Sequence, residues 1–279
     1  MSFERAHDRL RTVLGENDGE NPDDPSSIRA MPLVLHIPHE PRPERRDLLE
    51  AAAVACVSLC LDERAGVGLA EASGADDTDA ADTPEEADGD VARALVAWYG
   101  VRIRKIARRA RNKKWTDVQA LPGVTAEVRG AEARAFVPCP VVDTPAALNK
   151  LQIEGTDLPL PEDAEGVTAG DDHPVVYVDA SLGMSVGKAA AQVAHGSMLL
   201  AAAMGRDRAR RWRDEGFPLH VCEVDAARFA DRRAAAESRE ADGAGEVGDS
   251  GRGAAAVVRD AGYTEVAPGS VTVVALDRG

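Results

Sequence analysis

Residues 175–200, VVYVDASLGMSVGKAAAQVAHGSMLL, decide how the rest of the chain is read. VVYVDA is a short apolar, β-branched run that suits a central strand. The turn Gly183-Met-Ser-Val-Gly187-Lys188 follows, and the Ala-rich segment after it is a strong helix former. Strand, glycine turn and helix together are the repeating unit of an α/β layer architecture. A glycine turn before a helix can cradle phosphate, because backbone N–H groups converge at the helix N-terminus. The loop of nucleoside triphosphatases needs four residues between its glycines and Ser or Thr after the lysine. Here three residues intervene and Ala189 follows Lys188, so no hydroxyl is offered to magnesium, which argues against that class.

What remains is Lys188 in the first helical turn, with Gln192 and His195 at i+4 and i+7 on the same face. A cation, an amide and an imidazole aligned where the helix dipole adds positive potential suit a developing oxyanion or a phosphate. A solvated lysine, a locally bonded glutamine and a packed histidine satisfy the same spacing. Spacing alone leaves both readings open.

Working outward, MPLVLHI (31–37) reads as a buried strand and residues 44–63 as a helix. Residues 91–114 read as a second helix with the stripe Leu95, Tyr99, Ile103, Ile106 and Ala110. VTAEV and ARAFVPCPV follow as strand pieces. Beyond the quoted stretch come a basic helix around 205–215, the strand LHVCEV (219–224), a helix at 225–236, and the closing segments AAAVVRDAG and SVTVVALD. Each half runs strand, Ala-rich helix, basic segment with Trp, and two terminal strands. GVTAEVRGAEARAFV (123–137) can be laid beside GYTEVAPGSVTVVAL (262–276) with one gap, so the first half reads as a degenerate copy of the second.

Four acidic, turn-rich stretches, 15–30, 71–90, 155–173 and 237–253, hold little that can be buried and are expected to be disordered. The chain therefore divides into a disordered segment 1–30 and an N-terminal α/β region 31–154. That region carries an acidic insert 64–90 and a basic helix 91–114. A linker 155–173 and a C-terminal domain 174–279 with a flexible insert 237–253 complete it. Over the 279 residues the formal net charge is −15, which taken alone argues against a nucleic-acid partner, but most of it sits in these stretches. Aromatic residues are only 4%, so the core must be Ala, Val and Leu. Of the four cysteines, Cys56 and Cys60 lie four apart on one helix face without a second metal-ligand pair, and read as buried thiols in a reducing compartment. No signal peptide or membrane-length apolar run is evident, and a cytoplasmic protein is expected.

Residues 102–114, RIRKIARRARNKK, concentrate positive charge without an interspersed acid. Placed on the predicted helix, Arg104, Lys105, Arg108, Arg109, Arg111, Lys113 and Lys114 point to an external anion such as RNA phosphate. Arg206, Arg208, Arg210, Arg211 and Arg213 form a shorter cluster.

VVYVDASLGMSVGKAAAQVAHGSMLL closely resembles the opening of the archaeal/eukaryotic-type peptidyl-tRNA hydrolases (PTH2), a strand leading to Met-x-x-Gly-Lys and an Ala-Ala-Gln-x-x-His helix. RDAGYTEVAPGSVTVVAL resembles that family's Asp-Ala-Gly-x-Thr-x-x-Ala-Pro-Gly-Ser/Thr-x-Thr signature, and the likeness covers roughly residues 174–277. It implies a three-layer domain with a mixed four-stranded sheet sandwiched by helices. It also implies hydrolysis of the ester between a peptidyl group and the tRNA 3′ ribose, with peptidyl-tRNA as partner and neither cofactor nor metal. Lys188, Gln192, Asp260 and Thr264 are the catalytic positions carried over, supported by His195 and Gly187. The protein would act as a homodimer or an intramolecular pseudo-dimer. Asp179, Ser181, Val186, Tyr263 and Glu265 depart from the pattern by removing positive charge or adding negative charge near the expected substrate entrance. A non-catalytic RNA-binding module on the same fold and a small-substrate ester hydrolase are the rival expectations.

Overall fold

The structure, a computed structural model, describes residues 2–15, 19–21, 23–69, 84–155, 157–160, 172–243, 253–262 and 265–278. In chain order the N-terminal half contains α1 (Ser2–Arg11), β1 (Arg29–His36), α2 (Arg45–Cys60), α3 (Pro84–Tyr99) and β2 (Lys105–Ala110). It continues with α4 (Lys113–Val118), β3 (Gly123–Val128), β4 (Ala131–Phe136), β5 (Cys139–Pro140) and α5 (Ala146–Asn149). The C-terminal half contains β6 (Val175–Asp179), α6 (Val186–Ala203), α7 (Arg206–Asp214), β7 (His220–Val224), α8 (Ala226–Gly243), β8 (Ala255–Arg259) and β9 (Val271–Leu276). This is the mixed α/β architecture expected, with a four-stranded PTH2-like sheet and a second α/β region before it.

The two sheets repeat one topology. The first runs β2-β1-β4-β3, with β5 added to β1, and the second runs β7-β6-β9-β8. In each, the helix-crossover pair is parallel (β1 with β2, β6 with β7) and the other pairs are antiparallel. Helices α2 and α6 pack on each other and each touches both sheets, so one helical layer is shared between them. Ala51, Ala52, Ala55, Ala190, Ala194 and Ala201 are fully buried in that layer, which explains how a chain so poor in aromatics fills a core. Gly196 lets α6 approach the second sheet closely, since a β-carbon there would lie 2.9 Å from Val273 Cγ1. Strand alternation supplies the outer faces: Val34 and Phe136 pack under Trp115 and Leu148, while Val175 and Val274 pack under Phe229 and Ala236.

Several expected boundaries are corrected. The basic helix 91–114 does not exist as one element: α3 stops at Tyr99 before Gly100, and Lys105–Ala110 is an edge strand. The segment 1–30 is not disordered throughout, because α1 buries Phe3, Ala6, His7 and Leu10, and β1 starts at Arg29. The insert 64–90 contributes the beginning of α3, the insert 237–253 contributes the last turns of α8, and Leu158 of the linker is buried. Residues 70–83, 161–171 and 244–252 lie outside the described residues. The alignment of 123–137 with 262–276 pairs β4 correctly with β9, but the topological counterpart of β3 is β8, not residues 262–268. Among the described residues no helix is long and apolar enough to cross a membrane.

Candidate active site

The chain enters α6 through an αL turn at Gly183 and an N-cap at Ser185, whose Oγ accepts the Lys188 N–H at 3.1 Å. Glu265, from the loop between β8 and β9, fixes that cap. Its carboxylate accepts from the Ser185 N–H and from the Ser185 hydroxyl, both at 2.7 Å. The change to Glu at this position therefore adds a carboxylate to a helix N-terminus, where the dipole favours it.

Asp260 is the first residue after β8, and its backbone is held by Ser270 O at 2.9 Å and by the Gly269 N–H at 2.7 Å. Its Oδ2 pairs with Lys188 Nζ and accepts from Gln192 Nε2 at 2.8 Å; its Oδ1 accepts from the Gly262 N–H at 2.8 Å. Lys188 and Asp260 side chains are only 11% and 8% exposed, so this is a partly desolvated ion pair. Gln192 is oriented in turn by the fully buried Thr272, whose hydroxyl donates to Gln192 Oε1 at 2.6 Å. That fixes the amide so that its NH₂ can face only the carboxylate. Gly262 (φ +79) lets the chain leave Asp260 against Pro268, whose Cγ would lie 2.4 Å from a β-carbon at 262.

The structure thus joins Lys188, Gln192 and Asp260, which the sequence separates by up to 72 residues. Thr264 lies outside the described residues. Thr272, Ser185 and Glu265 were not assigned roles from the sequence, although Thr272 is the last Thr of the quoted signature. Its full burial on a strand is what converts it from a pattern letter into a holder of Gln192.

The three residues line a cavity of about 990 Å³ whose floor is α6, from Gly187 to Leu199, and whose walls are the edge strands β2 and β8. His195 faces this cavity; burial, with the nearby Lys105 charge adding to it, holds its imidazole well below the usual histidine value and therefore neutral. Of the predicted tRNA-binding residues, Arg104 and Lys105 line the cavity, while Arg108, Arg109, Arg111, Lys113 and Lys114 do not.

Those basic residues do not form one external face. Arg104 pairs with Glu20, Arg108 is buried beside Leu151 O and Asn149, Arg111 reaches His39, and Lys113 pairs with Asp117 at 2.7 Å. In the α7 cluster three arginines have acidic partners within the chain: Arg206 pairs with Asp8 and Arg210 with Glu4 at the surface, which fastens α1, and the more covered Arg208 pairs with Asp277.

Lys105 is half-buried in the cavity wall, with Nζ 3.0 Å from Met198 Sδ and 4.9 Å from the Trp98 ring centroid; the thiols of Cys56 and Cys60 and His195 are its other charged or titratable neighbours. Burial lowers its pKa. A base whose folded value is lowered binds fewer protons folded than unfolded, so stability rises with pH from that lowered value up to the ordinary lysine value of about 10.4. Lys105→Met is expected to be more stable than wild type at pH 7, by on the order of 1 kcal/mol, with the gap shrinking as pH approaches 10. Urea unfolding at both pH values reads this. A variant less stable at both would mean that the ammonium makes a favourable contact.

Residues 173–278 match the family model described as peptidyl-tRNA hydrolase PTH2. The match covers the C-terminal half alone, from just before β6 to just after β9. A search of curated proteins returns no match.

Proposed function

We propose that the C-terminal half hydrolyses the ester between a peptidyl group and the tRNA 3′ ribose, and that Lys188, Gln192 and Asp260 carry the reaction. The observation that supports this most is the Lys188–Asp260–Gln192 cluster at the N-terminus of α6, inside a cavity large enough for an aminoacyl-adenosine end. Asp260 Oδ1 spends one lone pair on the Gly262 N–H and keeps another for a water, whose proton it takes as the oxygen attacks the ester carbonyl. The carbonyl oxygen becomes an oxyanion beside the Lys188 ammonium and the helix N-terminus. On collapse the bond to the ribose 3′ oxygen breaks, and that oxygen receives the proton held by Asp260. Thr264, four residues along, belongs to the same set by the family signature. His195, neutral and set in the floor, and Gly187 in the first turn shape the cavity.

On this reading tRNA contacts come from the cavity rim, where Arg102, Arg104 and Arg259 lie, and not from a basic helix. Peptidyl-tRNA as substrate places the protein in the cytoplasm. The N-terminal half is read as a copy that completes a pseudo-dimer within one chain. Its position equivalent to Lys188, the third residue of the helix, is Asp47, and its residue after the strand, equivalent to Asp260, is Arg129. Arg129 Nε donates to Asp47 at 2.8 Å and the same guanidinium pairs with Glu50, so the charges are inverted and the place is filled. A tight turn with positive φ at Arg129 and Gly130 replaces the loop that carries Asp260.

The pairing of these arginines with acids of the same chain favours one second reading, an ester hydrolase for small acyl substrates. Peptide release from N-acetyl-aminoacyl-tRNA by the purified protein, in rising salt and with deacylated tRNA as competitor, separates the two. Release that falls with salt and competitor supports the tRNA substrate. Release from a small aminoacyl ester that ignores both would favour the second reading, and no release from either would sink the hydrolase assignment.

A further inference from the structure

Among the described residues, part of a sheet edge that lines the same cavity as Asp260 has no strand against it. β2 lies parallel to β1, and the Met31 N–H to Arg104 O and Ile37 N–H to Ala110 O bonds, both 3.0 Å, show that even-numbered residues of this strand face β1. Odd-numbered residues therefore turn their N–H and C=O outward, as the Arg109 N–H does in reaching Gln152 O at 2.8 Å. Lys105 and Ala107 are the other two, and among the described residues their outward groups meet no backbone partner. Both residues line the cavity.

On two of the other edges an outward N–H meets a carboxylate. β7 is the topological counterpart of β2, and its outward Val221 N–H donates to the buried carboxylate of Glu50 at 3.0 Å. On the opposite wall of the cavity the Val257 N–H of β8 donates to Glu240 at 2.9 Å. A sheet edge left open is a template for another strand, and proteins ordinarily blunt it. Among the described residues, one N–H on each of those two edges is capped by a carboxylate, while on β2 the bridge from Arg109 to Gln152 leaves Lys105 and Ala107 without a backbone partner. Next to it Val13, Ile103, Ile153 and Leu199 form an apolar lobe of the same cavity.

We propose that the peptidyl chain of the substrate docks on β2 as an added strand, exchanging hydrogen bonds with Lys105 and Ala107 and laying alternate side chains into the apolar lobe. The cavity's continuity from Asp260 to this edge makes the acyl end of the ester the occupant. The inference rests on the hydrolase reading for the identity of that chain. It makes the N-terminal half part of the substrate site: one half holds the reacting ester, the other the peptide backbone.

The test uses the full-length protein and an RNA minihelix whose 3′-amino adenosine carries a tetrapeptide in amide linkage, which is not cleaved as an ester. Methylating one peptide amide of an alternate pair is expected to weaken binding by about three- to tenfold, the worth of one hydrogen bond, while methylating its neighbour leaves affinity unchanged. Ala107→Pro removes the outward N–H without touching a ladder bond and should weaken the unmethylated analogue by a similar factor. Equal loss at every methylated position, or equal affinity for the tetrapeptide analogue and one bearing a single N-acetylated residue, would overturn the proposal. A dimer that Ala107→Pro dissolves would assign the edge to a second copy and overturn it as well. Release from N-acetyl-aminoacyl-tRNA with a flat methylation series keeps the hydrolase reading and sinks this one. An alternating series without any release does the reverse.

Discussion

Asp260→Asn and Lys188→Met each lower kcat/KM for peptide release by on the order of 100-fold or more, equivalent to about 2.7 kcal/mol of transition-state stabilisation, and the double variant falls no further than the worse single. The reason is the geometry of the pair. Asp260 Oδ2 meets both Lys188 Nζ and Gln192 Nε2, so removing the carboxylate removes the proton acceptor and also releases the lysine and the amide from their set positions. Removing the lysine takes away the cation for the oxyanion and leaves a partly buried carboxylate facing only an amide. Groups that act as a unit lose their effect together, which is why non-additivity is the signature. Stability separates this from a packing defect. Asp260→Asn leaves an 11%-exposed ammonium without its partner and should lower the unfolding midpoint, and adding Lys188→Met should restore part of it without restoring activity. Wild-type release in Asp260→Asn would mean that another group takes the proton.

How far the sequence carried this site depends on which interactions were local. The strand–turn–helix at 175–200 was legible because its periods change at Gly183, and the helix face placed Lys188 and Gln192 together by spacing alone. That Asp260 meets them is a long-range fact, visible only through the second motif. The edge strand β2 was misread for a physical reason: Leu95, Tyr99, Ile103, Ile106 and Ala110 fit a helical stripe because the first two belong to a real helix. In the strand proper, the two faces do not differ in polarity, since Lys105 is half-buried against sulfur and an indole while Arg108 is buried against carbonyl and amide oxygens. Binary alternation, the usual strand signal, is erased where charged side chains are themselves interior. The segment 1–30 failed differently. Phe3, Ala6, His7 and Leu10 carry a helical period, but the acidic run after them dominated the composition. Partners for the arginines were equally distant in sequence: Arg104 finds Glu20, and Arg210 finds Glu4. A local count of charge therefore could not show which of these arginines have an acidic partner within the chain.

Glu223→Ala is expected to destabilise the protein by about 3–5 kcal/mol, more than any surface ion pair here would cost. Arg45 opens α2 in the N-terminal half and Glu223 lies on β7 in the C-terminal half, with side chains 7% and 3% exposed. The contact is bidentate, Nε to Oε2 and Nη2 to Oε1, both at 2.7 Å, which is the strong form of an arginine–carboxylate pair. Truncating Glu223 leaves a guanidinium in the shared interior with only carbonyl partners, Met184 O at 3.0 Å and Leu158 O at 3.5 Å. Replacing both members, as Arg45→Met with Glu223→Leu, removes the unpaired charge and should recover most of the loss in urea unfolding. A deficit below about 1 kcal/mol in Glu223→Ala would mean that water reaches the pair, and would detach the two halves energetically. Activity adds a second readout, because Met184 precedes the Ser185 cap of α6. In Arg45→Met/Glu223→Leu the Met184 carbonyl loses its donor, so the double variant should regain stability yet keep a reduced kcat. Arg45 is in that sense a positioning residue: the N-terminal half, its own site filled by Arg129 and Glu50, holds the turn on which Lys188 of the other half depends.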